Sequence, residues 1–79
     1  MEKFSIEIIK DEEKLKFEVV DYPHSDEYTC KFEIYSDSKM VASFEPDHRG
    51  LLHICNNSGL IDEETLHLIA DKIETMRLW

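Results

Sequence analysis

IDEETLHLIADKIETMRLW, residues 61–79, is the one stretch whose apolar residues recur with a helical period, and its reading decides the fold. At about 100° per residue, Leu66, Ile69, Ala70, Ile73 and Met76 fall on one stripe, with His67, Asp71 and Glu74 opposite. Gly59 and Leu60 break the preceding pattern. Asp62 then stands where an N-cap belongs, its carboxylate able to accept a bond from a free amide one turn on. Ile61 and Leu66 occupy the two positions of a hydrophobic staple, and Asp62, Glu63 and Glu64 place negative charge at the positive end of the helix dipole. Lys72 and Arg77 lie toward the other end. A helix with such a stripe needs an apolar surface to cover.

Working outward, five segments with period-two patterning supply that surface. Phe4 to Ile9 alternates Phe4, Ile6 and Ile8 against Ser5 and Glu7, and Lys14 to Val20 alternates Leu15, Phe17 and Val19 against Lys16 and Glu18. Opposed residues share a face, so Ile8 with Leu15, Ile6 with Phe17 and Phe4 with Val19 puts all six on one side. That register closes through an even-length turn, Asp11-Glu12 or Lys10 through Glu13, and the lack of glycine favours the longer one. Asp21 to Glu27 reads as a loop around Pro23.

The third strand, Tyr28 to Tyr35, faces Tyr28, Cys30, Phe32 and Ile34 one way; the fourth, Met40 to Glu45, offers Met40, Ala42 and Phe44. A two-residue turn at Asp37-Ser38 would oppose Ile34 to Val41 and expose Phe44. The period-two rule therefore predicts the odd loop Asp37-Ser38-Lys39, opposing Ile34 to Ala42 and Phe32 to Phe44. Pro46 to Gly50 makes the next turn, opposing Phe44 to Leu52 and Ala42 to Ile54 in a fifth strand, Leu51 to Asn56. The expectation is an α+β domain spanning residues 1–79: a five-stranded antiparallel meander with one C-terminal helix over its apolar face, covering Ile6, Phe17, Phe32, Phe44 and Ile54.

Composition bounds the function. Eighteen acidic residues against 9 basic ones give a formal charge of −9, which argues against nucleic acid and anionic membranes as partners and leaves a basic protein open. No apolar run is long enough for a membrane span, and Met1-Glu2-Lys3 leads directly into an alternating segment, so a cytoplasmic protein is expected.

Sites of chemistry are sparse. Cys30 is expected inward beside Phe32 and Ile34, and Cys55 outward, as two reduced thiols without C-x-x-C spacing. His53 and Cys55 share an outer face, about 7 Å apart at Cα, a spacing that permits a base and nucleophile but provides no third group to orient the histidine. The segment from Asp21 to Tyr28 gathers Tyr22, His24, Asp26 and Tyr28 as a candidate ligand loop, although its Asp, Ser and Pro are ordinary turn residues. Asp47-His48-Arg49 reads as a hairpin tip, and Glu63, His67 and Asp71 as a solvated helix face. No phosphate loop, H-E-x-x-H pair or serine elbow is present. The expectation is a chain without catalytic residues, metal or cofactor.

Association has more support. The fifth strand carries no Lys, Arg, Asp or Glu, although a meander leaves it at an edge, where charge normally guards against pairing. Leu68 and Trp79 lie off the core stripe, with Lys72 and Thr75 along the line between them. The candidate interface is therefore Leu51, His53, Cys55, Leu68, Lys72, Thr75 and Trp79. It points to an interaction module that forms a homodimer or engages another protein. One alternative is an acidic mimic that masks a basic partner through Asp11 to Glu13, Asp26-Glu27 and Asp62 to Glu64. The other is a ligand- or metal-binding protein or enzyme using the 21–28 loop or His53 with Cys55.

Overall fold

A computed structural model describes residues 2–22 and 30–76. Five strands, β1 (Glu2–Lys10), β2 (Glu13–Asp21), β3 (Phe32–Ser36), β4 (Lys39–Pro46) and β5 (Leu52–Asn57), precede one helix, α1 (Glu63–Met76). The strands pair antiparallel in chain order, giving the expected meander with the helix packed on one face.

The first hairpin has the predicted register: Phe4 opposes Val19, Ile6 opposes Phe17 and Ile8 opposes Leu15. Its turn is shorter than expected. Lys10 pairs with Glu13, leaving Asp11 and Glu12 as a two-residue connection with φ of 51° and 68°. Both residues lie in the left-handed region, the conformation that matches strand twist in a tight hairpin.

The second hairpin corrects the predicted odd loop. Ser36 pairs with Lys39 across a two-residue turn at Asp37-Ser38, again with positive φ (51° and 67°). A bulge restores the apolar register beyond it: Tyr35 opposes Met40 but Ile34 opposes Ala42, so Val41 is the extra residue. The pairs Ile34 with Ala42 and Phe32 with Phe44 are thus reached by another route.

The β4–β5 register differs by two residues from that expected, because the connecting loop closes later. Asp47 N–H donates to Leu51 O (2.8 Å) and Gly50 N–H to Asp47 O (3.0 Å), with Gly50 at φ 85°, so the first ladder pair is Pro46 with Leu52. Phe44 consequently opposes Ile54. A second bulge follows, Ser43 opposing Asn56, which leaves Cys55 as the additional residue.

Helix α1 starts as its sequence predicts. Asp62 Oδ1 accepts from Thr65 N–H (3.0 Å) and Asp62 O from Leu66 N–H (3.1 Å). Lys10 pairs with Asp62 and reaches Glu64 at 3.9 Å, which ties the N-terminal end to β1. Toward the other end, Glu74 Oε2 accepts from Leu52 N–H at 3.2 Å. The helix therefore lies across the sheet from one edge strand to the other.

Leu66, Ile69 and Ile73 are fully buried against Val19, Phe32, Ile34 and Phe44. Two expected members of the covered set fall outside it: Ile54, on the edge strand, is 47% exposed, and Met76, in the last turn, is 39% exposed. Leu68, expected off the core, is half-buried and packs on it.

Candidate functional site

The sheet face away from the helix carries the polar chemistry. Register aligns Val20, Glu33 and Ser43 in one row across β2, β3 and β4, and Val20 and Ser43 are buried there. Glu33 Oε1 accepts from both Tyr22 OH (2.8 Å) and Tyr35 OH (3.0 Å). The carboxylate favours the protonated phenol. Tyr22 is raised above its ordinary 10.0 chiefly by that hydrogen bond, and Tyr35 chiefly by desolvation with the same bond adding to it. A shallow depression of about 340 Å³ adjoins the pair, lined by Lys3, Glu18, Val20, Tyr22, Tyr35 and Ser38.

Beside this row, Lys31 Nζ donates to Asp21 Oδ1 (2.9 Å) and to Tyr22 O (2.8 Å), while Lys31 N–H donates to Glu45 Oε2 (3.0 Å). The Lys31 and Asp21 side chains are only 14% and 13% exposed. This network holds the chain just before β3 against the neighbouring strands.

It also positions the cysteines, where the sequence reading is corrected. Cys30 and Cys55 are not reduced thiols on opposite faces; they form a disulfide, with a Cα–Cα distance of 6.7 Å. Alternation could not be extended back to Cys30, because β3 begins at Phe32 and the chain bends at Lys31. Cys55, for its part, is the extra residue of the β5 bulge. The bond bridges over β4, and the Glu45 carboxylate lies on it: one oxygen and both sulfurs are all within 4.8 Å of one another. Among the described residues this is the one convergence of three potential metal ligands.

The postulated base and nucleophile are each otherwise engaged. His53 Nε2 lies 2.7 Å from Asp47 Oδ2, and the Cys55 sulfur is in the disulfide. Asp47 also accepts from Arg49 N–H (2.8 Å) and Leu51 N–H (3.0 Å) through Oδ1. Its carboxyl is held well below the usual range, by His53 first and the Leu51 amide next. Asp47-His48-Arg49 is thus a self-contained turn anchored to His53.

The candidate interface residues divide. Leu51 (46% exposed), His53 and Cys55 line the exposed end and edge of the sheet, while Lys72 and Thr75 are exposed on α1. Leu68 is half-buried and packs against the core beneath the helix. A groove of about 240 Å³ runs between β5 and α1, lined by Leu52, Ile54, His67 and Ala70 above Phe44 and Leu66. Of the candidate ligand loop, Tyr22 is bonded to Glu33; His24, Asp26 and Tyr28, like Trp79, lie outside the described residues. Glu63, His67 and Asp71 are all exposed.

Sequence reasoning missed Glu33 and Glu45. The available signal was cross-strand: each is a carboxylate on an otherwise mixed outer face, and their meaning depends on register with strands far along the chain. No family model matches this chain, and neither the curated proteins nor the solved structures compared with it contain a significant match. No helix among the described residues is long and apolar enough to cross a membrane.

Proposed function

We propose that the chain is a non-catalytic interaction module, an acidic cytoplasmic protein that pairs with a second copy of itself along the β5 edge. The observation that carries this reading is the contrast between the two edges of the sheet. β1 bears Glu2, Lys3, Glu7 and Lys10, charges of the kind that guard an edge against pairing. β5 bears no acidic residue, lysine or arginine, and its Ile54 is 47% exposed beside an apolar groove.

Glu74 takes the N–H of Leu52 and the β5 bulge falls at Cys55, so the stretch offered to a partner is short, from Ile54 to Asn57, and is guarded by that bulge rather than by charge. Antiparallel pairing of this stretch about a two-fold axis is self-complementary, and β5 itself brings no acidic side chain to the seam between two strongly negative copies.

Light scattering over a dilution series tests this: a dimer at high concentration that dissociates on dilution is expected, with Ile54→Lys monomeric throughout. A wild-type protein that stays monomeric at every concentration overturns it. A second reading, an acidic module that covers a basic protein, is favoured by the formal charge of −9. Recovery of a basic partner at low salt, lost at high salt, would select it over self-pairing.

A further inference from the structure

The geometry points to a redox-gated metal site: once the Cys30–Cys55 bond is reduced, Cys30, Cys55 and Glu45 bind a thiophilic divalent cation of the zinc type. The three side chains come from separate segments, the approach to β3, β4 and the β5 bulge. The disulfide joins the two sulfurs, and a Glu45 carboxylate oxygen lies within 4.8 Å of both. Ligands on a tetrahedral zinc, at about 2.0–2.3 Å from the metal, are roughly 3.3–3.8 Å apart, so small side-chain rotations suffice.

The donor set indicates the ion. Two thiolates with one carboxylate select zinc or its substitutes over magnesium and calcium, which take oxygen ligands. Three protein ligands leave the fourth position to water, and Cys55 is exposed to it.

Support for the ligands is already built. The Lys31 N–H bond to Glu45 Oε2 fixes the carboxylate, as outer hydrogen bonds do for metal ligands. The Lys31 ammonium is drawn off to Asp21 and the Tyr22 carbonyl. Once the bond is reduced, the two thiols gain from Glu45 a third ligand.

The chemistry balances with a dithiol as reductant. The Sγ–Sγ bond accepts two electrons and two protons, the dithiol becomes a cyclic disulfide, and the metal then displaces both thiol protons to solvent. Oxidation by a disulfide reverses the sequence and expels the ion.

Cobalt(II) and zinc(II) titrations of the full chain, oxidised and reduced with a phosphine, test the proposal. The reduced protein is expected to bind one equivalent of cobalt with thiolate-to-metal charge transfer and tetrahedral ligand-field bands. Zinc should bleach both signals, and the oxidised protein should show neither. Glu45→Gln, which keeps both thiols, is expected to weaken binding by at least the roughly tenfold that loss of a mere outer-shell partner costs, while preserving the charge-transfer band. Far-UV circular dichroism accompanies each titration, so that a reduced chain that has lost structure is expected to regain it with zinc. No charge transfer and no regained structure would overturn the site, as would unchanged uptake by a Cys30→Ser, Cys55→Ser double variant.

Discussion

At the scale of single residues, Asp62 does more than its N-cap position implies. The same carboxylate caps α1, bonds the Thr65 hydroxyl and pairs with Lys10 of β1, so one side chain joins helix start to sheet edge. Lys10 foremost, then the Thr65 hydrogen bonds, hold it well below its ordinary value of 3.8. A carboxyl depressed in the folded state contributes stability that is complete above the ordinary value and is lost as pH falls below it. Asp47, depressed by His53 and the loop amides, acts in the same direction. The thermal midpoint is therefore expected to fall as pH drops through the carboxylate range, and Asp62→Asn, which keeps a capping acceptor, should reduce that dependence. An identical pH profile for the variant would show that the Asp62 contacts do not contribute. The cap itself was legible, because its partners lie within one turn. Lys10 was not, being 52 residues away in the chain.

At the scale of elements, apolar patterning specified which residues pair, while the connections settled how. In both leading hairpins the inward pairs are those that alternation demands, yet the first turn is the shorter of the two it allows and the second is not the one predicted. Excluding the Asp37-Ser38 turn assumed an uninterrupted ladder, and a bulged residue, Val41, absorbs the odd count without moving Phe32 from Phe44. Bulges leave little trace in a hydrophobic pattern, for which reason the Cys55 bulge and its disulfide were equally hidden. The tight turns carry a local cost, because Glu12 and Ser38 adopt left-handed φ without being glycine. Glu12→Gly is expected to raise stability by about 0.5–1 kcal/mol in urea unfolding. A loss of stability instead would mean that the Glu12 side chain makes up for its backbone strain.

At the scale of the whole molecule, one small core is held by one covalent bond. A domain near this size draws only about 3–5 kcal/mol from its core. Closing the 25-residue separation between Cys30 and Cys55 is worth about 3 to 4 kcal/mol in the chain-entropy description. Reduction without metal is therefore expected to lower the urea midpoint by about half, and a midpoint that hardly moves would assign the stability to packing alone. The α+β layout and most of the core stripe were readable from residue periodicity, whereas strand order was an expectation from the short connections alone. The cysteine pairing and the Glu45 cluster were not readable, since both arise where the regular ladder stops: one at the bend before β3, the other at the bulge near its far edge.

The disulfide also divides the chain into parts of unequal fate. It closes a covalent ring from residue 30 to residue 55, which contains β3, β4 and β5 as far as Cys55, while the β1–β2 hairpin and α1 hang outside as two arms. The exposed tip at His48 and Arg49 lies within that ring. A single backbone cut at the tip therefore releases nothing while the bond stands: the ring merely opens, and both halves stay joined. The same cut after reduction parts the helix from the four strands it covers. Redox state thus sets whether damage at one hairpin is silent or severs the molecule.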